Sequence, residues 1–517
     1  MLFEVKHLLL LAVVVIFLTG QTMILDTYNI VFYASLVLVA FYFYCSYKLN
    51  YWRRRGVQQL DNTNLLFGDF KNGILFQSPP GYHMGNLYRQ SPRDAPFVGF
   101  YIFHKPCLLL KDPEVIKQIL SRDFENFSDR SFSGSEQKDS SGMINLFGLR
   151  NPAWRSLRKK ITPTFTLSKL KQLLTFMTES GDPMMEFLRK NVDEDGEVKV
   201  IDVQDTCYKY TADLFANVSL GSRTDSFNDK NSDYLRYFKK YFHSFRRMIA
   251  IVTVFFIPEL VKVVGSSILF DSTYLRKLFW SAVRLREKSG IKRGDFLDTL
   301  IQLKNEEQDP LYEFNEHNLF SQTGTYLAGL ETSSNVTAFT LMELAKNSEY
   351  QDRARECIKT AIAQHGWTVE AFNNMKYLDQ VIAEGLRLHP SVSTLDREAL
   401  HDYKIPNTDI VIEAGTAVYI SLFGTHRDPK FFDRPEEFDP DRFTEDKKVS
   451  DNYLPFGSGP RQCIGVKAGQ LYMKVVLSMI LLKYKLNHKQ TEELQLDRRA
   501  TFTTAAKGIN LEFVKIH

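Results

Sequence analysis

The chain has 517 residues, of which 44% are hydrophobic and 24% charged, and its formal net charge is +4. So small a charge, without a basic arm carrying interleaved aromatic residues, argues against a nucleic-acid-binding protein. The five cysteines are odd in number, widely spaced and never paired at metal-ligand intervals. We therefore expect no disulfide framework, and we expect a reducing compartment.

The N-terminus predicts a membrane anchor. Leu8–Leu18 is one apolar run, and Ile30–Cys45 is a second that approaches the roughly 20 residues needed to span a bilayer. An aromatic belt (Tyr47, Tyr51, Trp52) and a basic cluster (Lys48, Arg53, Arg54, Arg55) follow it. Such a cluster stays on the cytoplasmic side, so the remaining chain is expected to face the cytosol. The first run fits a signal-peptide core or half of a helical hairpin, and Met23 is a candidate physiological start.

The pattern beyond the anchor predicts one large, mainly α body with a minor β part. We divide the chain into hydrophobic segments (1–50), a linker ending at a Pro-Pro-Gly turn (51–80) and a catalytic body (81–517). Phe97–Leu110 indicates a short sheet, after which Asp112-Pro113 opens a helix. Residues from about 317 to 347 predict one unusually long helix. Strand signals return at 410–412 and 417–422.

The strongest chemical signal is the segment Phe456-Gly-Ser-Gly-Pro-Arg-Gln-Cys-Ile-Gly465. It is a glycine-rich loop that delivers a cysteine to the start of a helix, because residues 464–484 are apolar with helical character. A cysteine there is favoured as a thiolate by the helix dipole and by free backbone N–H groups. Gly457, Gly459 and Gly465 let the backbone approach a flat cofactor closely, where a Cβ would clash, and Arg461 places a cation two residues before the sulfur.

This segment matches the signature Phe-x-x-Gly-x-Arg-x-Cys-x-Gly of the cytochrome P-450 family at every specified position, which disfavours a merely structural cysteine. The chain therefore resembles a haem-thiolate monooxygenase. The resemblance implies the P-450 fold, a single helical body with small sheets, with haem b as cofactor and Cys463 as axial ligand of the iron. It also implies cofactor contacts at Phe456, Gly459, Gly465 and Arg461, the last at a haem propionate.

Two segments upstream extend the resemblance. Glu384-Gly-Leu-Arg387 matches the family's Glu-x-x-Arg pair, whose members share one face of a helix. Pro440-Asp-Arg-Phe443 supplies Arg442, which completes the family's buried network on the haem side of the core. The role of Glu384, Arg387 and Arg442 is therefore structural. Alanine at Glu384 is predicted to prevent haem-loaded folding, because the remaining buried charge would have no partner.

Ala328-Gly329-Leu330-Glu331-Thr332 matches the family's Ala/Gly-Gly-x-Asp/Glu-Thr pattern in the long helix. The glycine leaves room beside the helix, and the threonine hydroxyl can bond to a carbonyl one turn back. Taken alone, the segment fits a glycine-tolerant helix interior with two polar residues facing out. The resemblance instead makes Thr332 the candidate for dioxygen activation, with Glu331 as its proton-relay partner.

Trp154 and Arg158 resemble the family's Trp-x-x-x-Arg. Residues four apart share a helix face, so both side chains are expected at the haem propionates. Lys159, Lys160 and Lys467 would supply positive charge on the thiolate side, where an acidic electron-transfer partner would dock. Ordinary solvated lysines are an equally good interpretation.

The implied reaction inserts one atom of O2 into a lipophilic small molecule, foreign or endogenous. Electrons would come from NADPH through a separate cytochrome P-450 reductase, since this chain has no flavin or dinucleotide fingerprint, and cytochrome b5 is a further possible partner. Substrate contacts are expected in Phe127–Met143, Phe238–Leu260, Ser391–Leu395 and Thr501–Ala506. The second of these fits a membrane contact and a plain core helix equally well. The expected location is the cytosolic face of the endoplasmic reticulum membrane.

Two alternatives stay open at this point. Haem-thiolate isomerases and dehydratases rearrange peroxides without a reductase, although Glu331 and Thr332 argue against that class. A non-catalytic haem-binding or membrane scaffold is the other. Longer stretches resemble insect microsomal members linked to foreign-compound metabolism. One departure from the family is that the proline-rich hinge after the anchor is missing, with Pro79-Pro80 arriving late, which puts in doubt how the body sits on its anchor.

Overall fold

The computed structural model describes residues 27–61, 63–132, 144–192, 199–229, 232–260, 272–488, 494–500 and 502–516. Leu8–Leu18 and the candidate start at Met23 lie outside these ranges. Within them, one helical stretch, Asn29–Arg55, is long and apolar enough to cross a membrane. Its main part is helix α1 (Thr27–Lys48), whose side chains are mostly exposed from Ile30 to Phe43.

The first sheet has four strands. After two helices, α2 (Lys71–Ile74) and α3 (Pro80–Gln90), the chain forms the antiparallel pair β1 (Phe97–Ile102) and β2 (Lys105–Leu110), and it returns much later with β4 (Thr394–Glu398) and β7 (Ala417–Ser421). The strand order is β1-β2-β7-β4, with β2 parallel to β7 and β7 antiparallel to β4. Alternate residues enter two different core clusters, so the sheet is buried on both faces.

Helices make up most of the remaining chain. They are α4 (Pro113–Lys117), α5 (Ala153–Ile161), α6 (Leu167–Val192), α7 (Val203–Ser219), α8 (Asp233–His243), α9 (Phe245–Phe256), α10 (Thr273–Ser289), α11 (Phe296–Asn305), α12 (Glu316–Lys346), α13 (Ser348–His365), α14 (Val369–Asn373), α15 (Lys376–Leu388), α16 (Leu422–Thr425) and α17 (Val466–Leu481). This confirms the predicted mainly α fold with a minor β part.

Two smaller sheets complete the fold. β3 (Lys199–Asp202), β9 (Asn510–Lys515) and β8 (Tyr484–Asn487) form an antiparallel sheet in that order. β5 (Tyr403–Lys404) and β6 (Val411–Ile412) form a two-stranded hairpin. The C-terminal strand thus holds the end of the chain against the start of α7.

Helix α12 lies at the centre of the largest core cluster and packs on α7, α15 and α17. Its bounds differ by one residue from the predicted 317–347. Asn315 caps it, since its side chain accepts hydrogen bonds from the amides of His317 and Asn318. A helix fixed on three sides gives a rigid wall for a site.

One expectation about the anchor is wrong. Trp52 was predicted to lie in an aromatic belt at the membrane edge, but its side chain is fully buried in the protein. The indole lies against Gly99 of β1, where a Cβ would come within 2.3 Å of the ring. Residues after the anchor therefore pack on the first sheet: Val57, Leu60 and Phe70 are also buried.

Candidate active site

The loop before α17 holds the cysteine in a fixed position. The amide of Cys463 donates to the carbonyl of Phe456 at 2.9 Å, which closes the loop. Gly457 and Gly459 both have φ of +72°, and a Cβ on Gly459 would meet the carbonyl oxygen of Leu120 at 1.9 Å. Only glycine therefore fits at Gly459. Gly465 ends the loop next to Phe165 and the Cys463 sulfur.

The Cys463 thiol is enclosed by the body and still accessible. The residue keeps exposed surface, yet burial raises the pKa of its thiol. The Gly465 amide and the positive charges of Arg158 and Arg130 act in the opposite direction and lower this pKa. The loop thus presents a sulfur within a positively charged interior, which is the setting in which a thiolate binds a metal.

Three buried guanidinium groups lie together beside this loop: Arg130, Arg397 and Arg461 are 8%, 2% and 6% exposed. Burial, together with the positive charge of Arg130, lowers the pKa of Arg461 to about 8 and that of Arg397 to about 9. Asp396 pairs with Arg130 at 3.3 Å and Asp129 with Arg461 at 3.4 Å. Two carboxylates therefore face three cations.

Each of these guanidinium groups also keeps an N–H without a hydrogen-bond acceptor. The atoms are Arg130 Nε, Arg397 Nε and Arg461 Nη1, and none has a partner among the described residues. Buried donors without partners and an excess of positive charge fit an anionic ligand. The two propionates of haem supply such carboxylates, and Cys463 supplies a thiolate for its iron, so the residues present fit the cofactor.

Trp154 and Arg158 reach this site in different ways. The Arg461 guanidinium lies 4.3 Å from the centroid of the Trp154 ring, so the indole holds that cation in place. Arg158 donates from Nη1 to the Gln462 carbonyl at 3.0 Å, next to the cysteine. Both side chains thus support the cysteine loop, and their direct contact with haem stays a prediction.

Helix α12 turns an accessible face toward the same region. Ala328 and Gly329 are exposed although the residues around them are largely buried, and a Cβ on Gly329 would meet no protein atom within 4 Å. The Thr332 hydroxyl donates to the carbonyls of Ala328 and Gly329 at 3.0 and 3.1 Å. α17 packs on α12 here, since a Cβ on Gly469 would lie 3.3 Å from the Ser333 hydroxyl. The cysteine loop and the Gly329–Thr332 segment are therefore neighbours.

Glu331 points to another side of α12 and forms an ion pair. Arg247 of α9 donates to both carboxylate oxygens, at 2.9 and 3.4 Å. Burial raises the pKa of Glu331, and Arg247 lowers it, with a net rise. A cavity of about 40 Å³ adjoins the pair and is lined by the polar side chains of Tyr208, Thr211, Asn335 and Thr504, among others. A cavity of this size is large enough for a water molecule, through which Glu331 could exchange protons.

The expected buried network is present, and it consists of Glu384, Arg387 and Arg442. Arg387 donates two hydrogen bonds to Glu384 at 2.7 and 2.8 Å, both side chains are fully buried, and Arg442 donates to Glu384 at 3.3 Å. Arg387 also donates to the His426 carbonyl at 2.8 Å. The His426 ring in turn accepts a hydrogen bond from the Leu454 amide at 3.0 Å. The network thereby positions the segment that leads into the cysteine loop.

An aromatic cluster joins several segments predicted to contact substrate. Phe255 of α9 lies 4.6 Å from Phe132, 6.0 Å from Phe147 and 6.4 Å from Phe502, measured between ring centroids. The Arg130 guanidinium lies 4.3 Å from the Phe147 ring, so the cluster adjoins the arginine group. Phe502 belongs to a loop that pairs with Val392. Residues 133–143 and 501 of the predicted segments lie outside the described residues.

Several site residues carried no signal that the sequence alone revealed. Arg397 occurs in the charged triplet Asp396-Arg397-Glu398 of β4, a strand that is otherwise buried, and such a triplet in a strand is the one available hint. Arg130 fell within a predicted substrate segment without a role of its own. His426 and Arg247 have unremarkable sequence surroundings, and only tertiary contacts make them part of the site.

Comparison with known proteins agrees with this geometry. The family model for cytochrome P450 matches residues 70–513. Cytochrome P450 6k1 of Blattella germanica is 36% identical, with 93% of this chain and 96% of the relative covered. Probable cytochrome P450 6g2 of Drosophila melanogaster is 33% identical over 93% of this chain and 97% of its own, and cytochrome P450 6d3 of Musca domestica is 31% identical over 90% and 95%. The chain belongs to the cytochrome P450 family of haem-binding monooxygenases.

Proposed function

We propose that this protein is a membrane-anchored monooxygenase that oxidises lipophilic foreign compounds, using O2 and electrons from NADPH delivered by a separate reductase. The observation that carries the proposal is the accessible Cys463 thiol beside three buried arginines and the open face of α12 at Gly329. One oxygen atom of O2 enters the substrate, and the other leaves as water with two protons and two electrons. Insect relatives named cytochrome P450 support the reaction class, and the foreign-compound substrate is our own proposal.

When bound, haem supplies the oxidising chemistry, and electron donation from the Cys463 thiolate favours cleavage of the O–O bond. Arg130, Arg397 and Arg461 would hold its propionates. The chain's own contribution is proton supply, substrate orientation and exclusion of water. Thr332 presents a hydroxyl at the open face of α12, and Glu331 lies at a cavity whose lining includes the polar side chains of Tyr208 and Thr211. Together they can move protons to the reacting oxygen.

The aromatic cluster supports a lipophilic substrate. Phe132 and Phe255 are buried, and Phe147 and Phe502 are partly buried around them. Such rings exclude water and attract flat apolar molecules by stacking and by burial of apolar surface. No hydrogen-bonding pair of fixed geometry lies among them, so the cluster favours a range of substrates over a single polar one.

The reductase would dock on the cysteine side of the body. Lys159 and Lys467 are exposed near this face, while Lys160 pairs with Glu306 at 3.3 Å. Arg158 links α5 to the loop carrying Cys463, so the exposed lysines lie close to the electron acceptor. Cytochrome b5 would use the same surface. The anchor α1 and the following arginines support placement at the endoplasmic reticulum with the body in the cytosol.

The test is product detection in membranes that contain the full chain and a cytochrome P450 reductase. Fatty acids, steroids, plant toxins and insecticides are supplied with and without NADPH, and products are identified by mass spectrometry. We expect products heavier by one oxygen atom only when NADPH is present. Thr332→Val should lose product while still consuming NADPH. Thr337→Val, which removes a similar hydroxyl from the same helix away from the site, is the matched control.

The second enzyme class gives a different result. A peroxide isomerase or dehydratase would turn over hydroperoxides whether or not NADPH is present, and Thr332→Val would leave its rate unchanged. That outcome would overturn the roles of Thr332 and Glu331. Haem-loaded protein that converts none of these compounds would instead point to the non-catalytic scaffold.

A further inference from the structure

The segment between the anchor helix and the body has no flexible stretch. Backbone hydrogen bonds continue beyond α1, from the Leu49 amide to the Cys45 carbonyl at 2.8 Å and from the Tyr51 amide to the Lys48 carbonyl at 3.1 Å. The Arg54 amide then donates to the Asn50 carbonyl at 3.1 Å, inside the short 3-10 helix Arg53–Arg55. Helical backbone hydrogen bonds therefore continue from α1 to the Arg53–Arg55 turn.

Trp52 fixes this segment to the first sheet. Its side chain is fully buried and fills the space that a side chain at Gly99 would need. Its amide lies 3.1 Å from the Tyr101 hydroxyl, which donates to Gln59 at 3.0 Å, and Gln59 donates to the Leu49 carbonyl at 3.1 Å. We call Leu49, Trp52, Gln59, Gly99 and Tyr101 the Trp52 joint. Its contacts link both ends of the segment to β1.

Further contacts lie on either side of the joint. Arg55 pairs with Glu413 and stacks at 3.7 Å over the Tyr51 ring. On α1 itself, Phe41 and Tyr44 contact the ring of His104 in the β1–β2 turn, with centroid distances of 6.3 and 6.1 Å. The last turns of the anchor thus run along the first hairpin. A helix held at its end and along its side cannot pivot freely on the body.

We propose that α1 and the catalytic body form one rigid unit, in which the Trp52 joint sets the angle at which the body meets a phospholipid bilayer. The inference rests on the proposed membrane anchoring by α1. It explains how this chain positions its body without the proline-rich hinge that the family usually has.

A fixed angle brings one apolar surface of the body to the bilayer. The β1–β2 hairpin beside α1 is hydrogen-bonded to the segment around Leu65, which precedes it in the chain, because the His104 ring lies 2.8 Å from the Leu65 carbonyl. That segment carries Leu66 and Leu75, which are 51% and 42% exposed. Its Phe76 contacts the ring of Phe245 on α9, and Phe245 is 58% exposed. These side chains are exposed, and they lie on the segment bonded to the hairpin beside the anchor or on the helix in contact with that segment. They are therefore the ones expected to enter the lipid interface.

The joint is tested by distance measurement between two spin labels in the full-length holoprotein. The labels are attached at Val37→Cys on α1 and Lys404→Cys on the body, in a Cys357→Ser background, with haem in its diamagnetic ferrous carbon-monoxide form. We expect a single narrow distance distribution in detergent and in lipid nanodiscs. A six-residue Gly-Ser insertion between Lys48 and Leu49 leaves Trp52 in place and adds roughly 13 Å of flexible reach. It should at least double the width of the distribution.

The same insertion between Glu445 and Asp446, in an exposed loop, is the matched control and should leave the width unchanged. Two outcomes would overturn the proposal: a native distribution as broad as that of the first insertion, or a first insertion without effect. Flotation with liposomes separates this result from the anchoring itself. A chain that fails to float has lost the proposed anchor, while the detergent measurement still reports on the joint.

A second measurement tests the consequence for the bilayer. An environment-sensitive fluorophore at Leu75→Cys should shift toward apolar emission in nanodiscs relative to detergent-free buffer. The same label at Leu285→Cys on α10, a position that is 69% exposed, should not shift. The insertion after Lys48 should reduce the shift at position 75. An equal shift at both positions, or none at position 75, would contradict the fixed angle.

Discussion

At the scale of single residues, Glu331 is held between two opposing influences. Burial raises the pKa of its carboxyl, and Arg247 lowers it without cancelling the rise. Arg247→Met keeps a side chain of similar length but removes the positive charge. The pKa of Glu331 should then rise further, because the opposite charge that favours its ionised form is gone. A higher pH is then needed to ionise the carboxyl, so the acidic limb of the pH–kcat profile should move to higher pH.

The controls for this prediction separate the pair from general effects. Glu331→Gln should abolish the limb, and adding Arg247→Met to it should cause no further change in the profile. Arg246→Met removes an exposed cation next to the pair and should leave the limb in place. A profile for Arg247→Met that coincides with the native one would show that Glu331 does not titrate in the reaction.

His426 makes stability depend on pH. Burial and the Arg387 charge lower the pKa of its ring to about 3, so the ring stays neutral and accepts the Leu454 hydrogen bond. The unfolded chain binds a proton at this histidine below its ordinary pKa near 6.5, whereas the folded chain does not. Stability is therefore lost as pH falls from about 6.5 toward 3, by about 1.4 kcal/mol per pH unit.

His426→Gln keeps an acceptor for Leu454 but cannot be protonated. The apparent melting temperature of the holoprotein, followed by the Soret absorbance, should fall less steeply between pH 6.5 and 5 in this variant than in the native chain. Parallel curves would mean that the folded protein takes up the proton at His426 as readily as the unfolded chain does.

At the scale of elements, the cysteine loop depends on two glycines with the same backbone angle and different surroundings. Gly457 and Gly459 both have φ of +72°, but a Cβ meets no atom within 4 Å at Gly457 and the Leu120 carbonyl oxygen at 1.9 Å at Gly459. Gly457→Ala should cost about 1 kcal/mol for the backbone strain and retain the haem-thiolate spectrum. Gly459→Ala must displace the loop and should lose most of the haem-thiolate Soret band at equal expression. Equal spectra for both variants would show that the loop yields freely at Leu120.

Elements with local signals were predictable from the sequence. The periodic pattern gave α12 within one residue, and the Asp112-Pro113 pair gave the start of α4, where Asp112 accepts hydrogen bonds from two amides. The cysteine loop and the Glu384–Arg387 pair were predicted from the family resemblance, which short motifs can carry because their residues are close in the chain.

What the sequence could not reveal depends on contacts between distant segments. Arg247 and Glu331 are 84 positions apart, and Arg130 and Asp396 are 266 positions apart. A buried arginine and a solvated arginine are the same residue type, so the sequence alone does not show which of them is buried. Trp52 illustrates the same point. An aromatic residue beside a basic cluster is typical of a membrane edge, but here the indole is buried against Gly99, which is 47 positions away in the chain and leaves space for it.

At the scale of the whole molecule, charge would direct the approach of the proposed reductase. The net charge of +4 is too small to attract an acidic partner by itself, so local clusters must direct it. Lys467, four residues after Cys463, and Lys159, next to the Arg158 that bonds to the cysteine loop, are both exposed. Their contribution acts at long range and is screened by salt, with a Debye length of about 8 Å at physiological ionic strength.

Reversing both charges therefore tests the docking face. Lys159→Glu/Lys467→Glu should raise the reductase concentration needed for half-maximal turnover by about tenfold at low salt and leave substrate binding, measured by spectral titration, unchanged. The native rate should fall as salt is added, whereas the variant should depend less on salt because the attraction is already lost. Lys288→Glu/Lys292→Glu changes the net charge equally at exposed positions near the end of α10 and should behave like the native chain. Equal weakening in both variants would mean that the reductase responds to the overall charge, and that the cysteine side of the body is not the docking face.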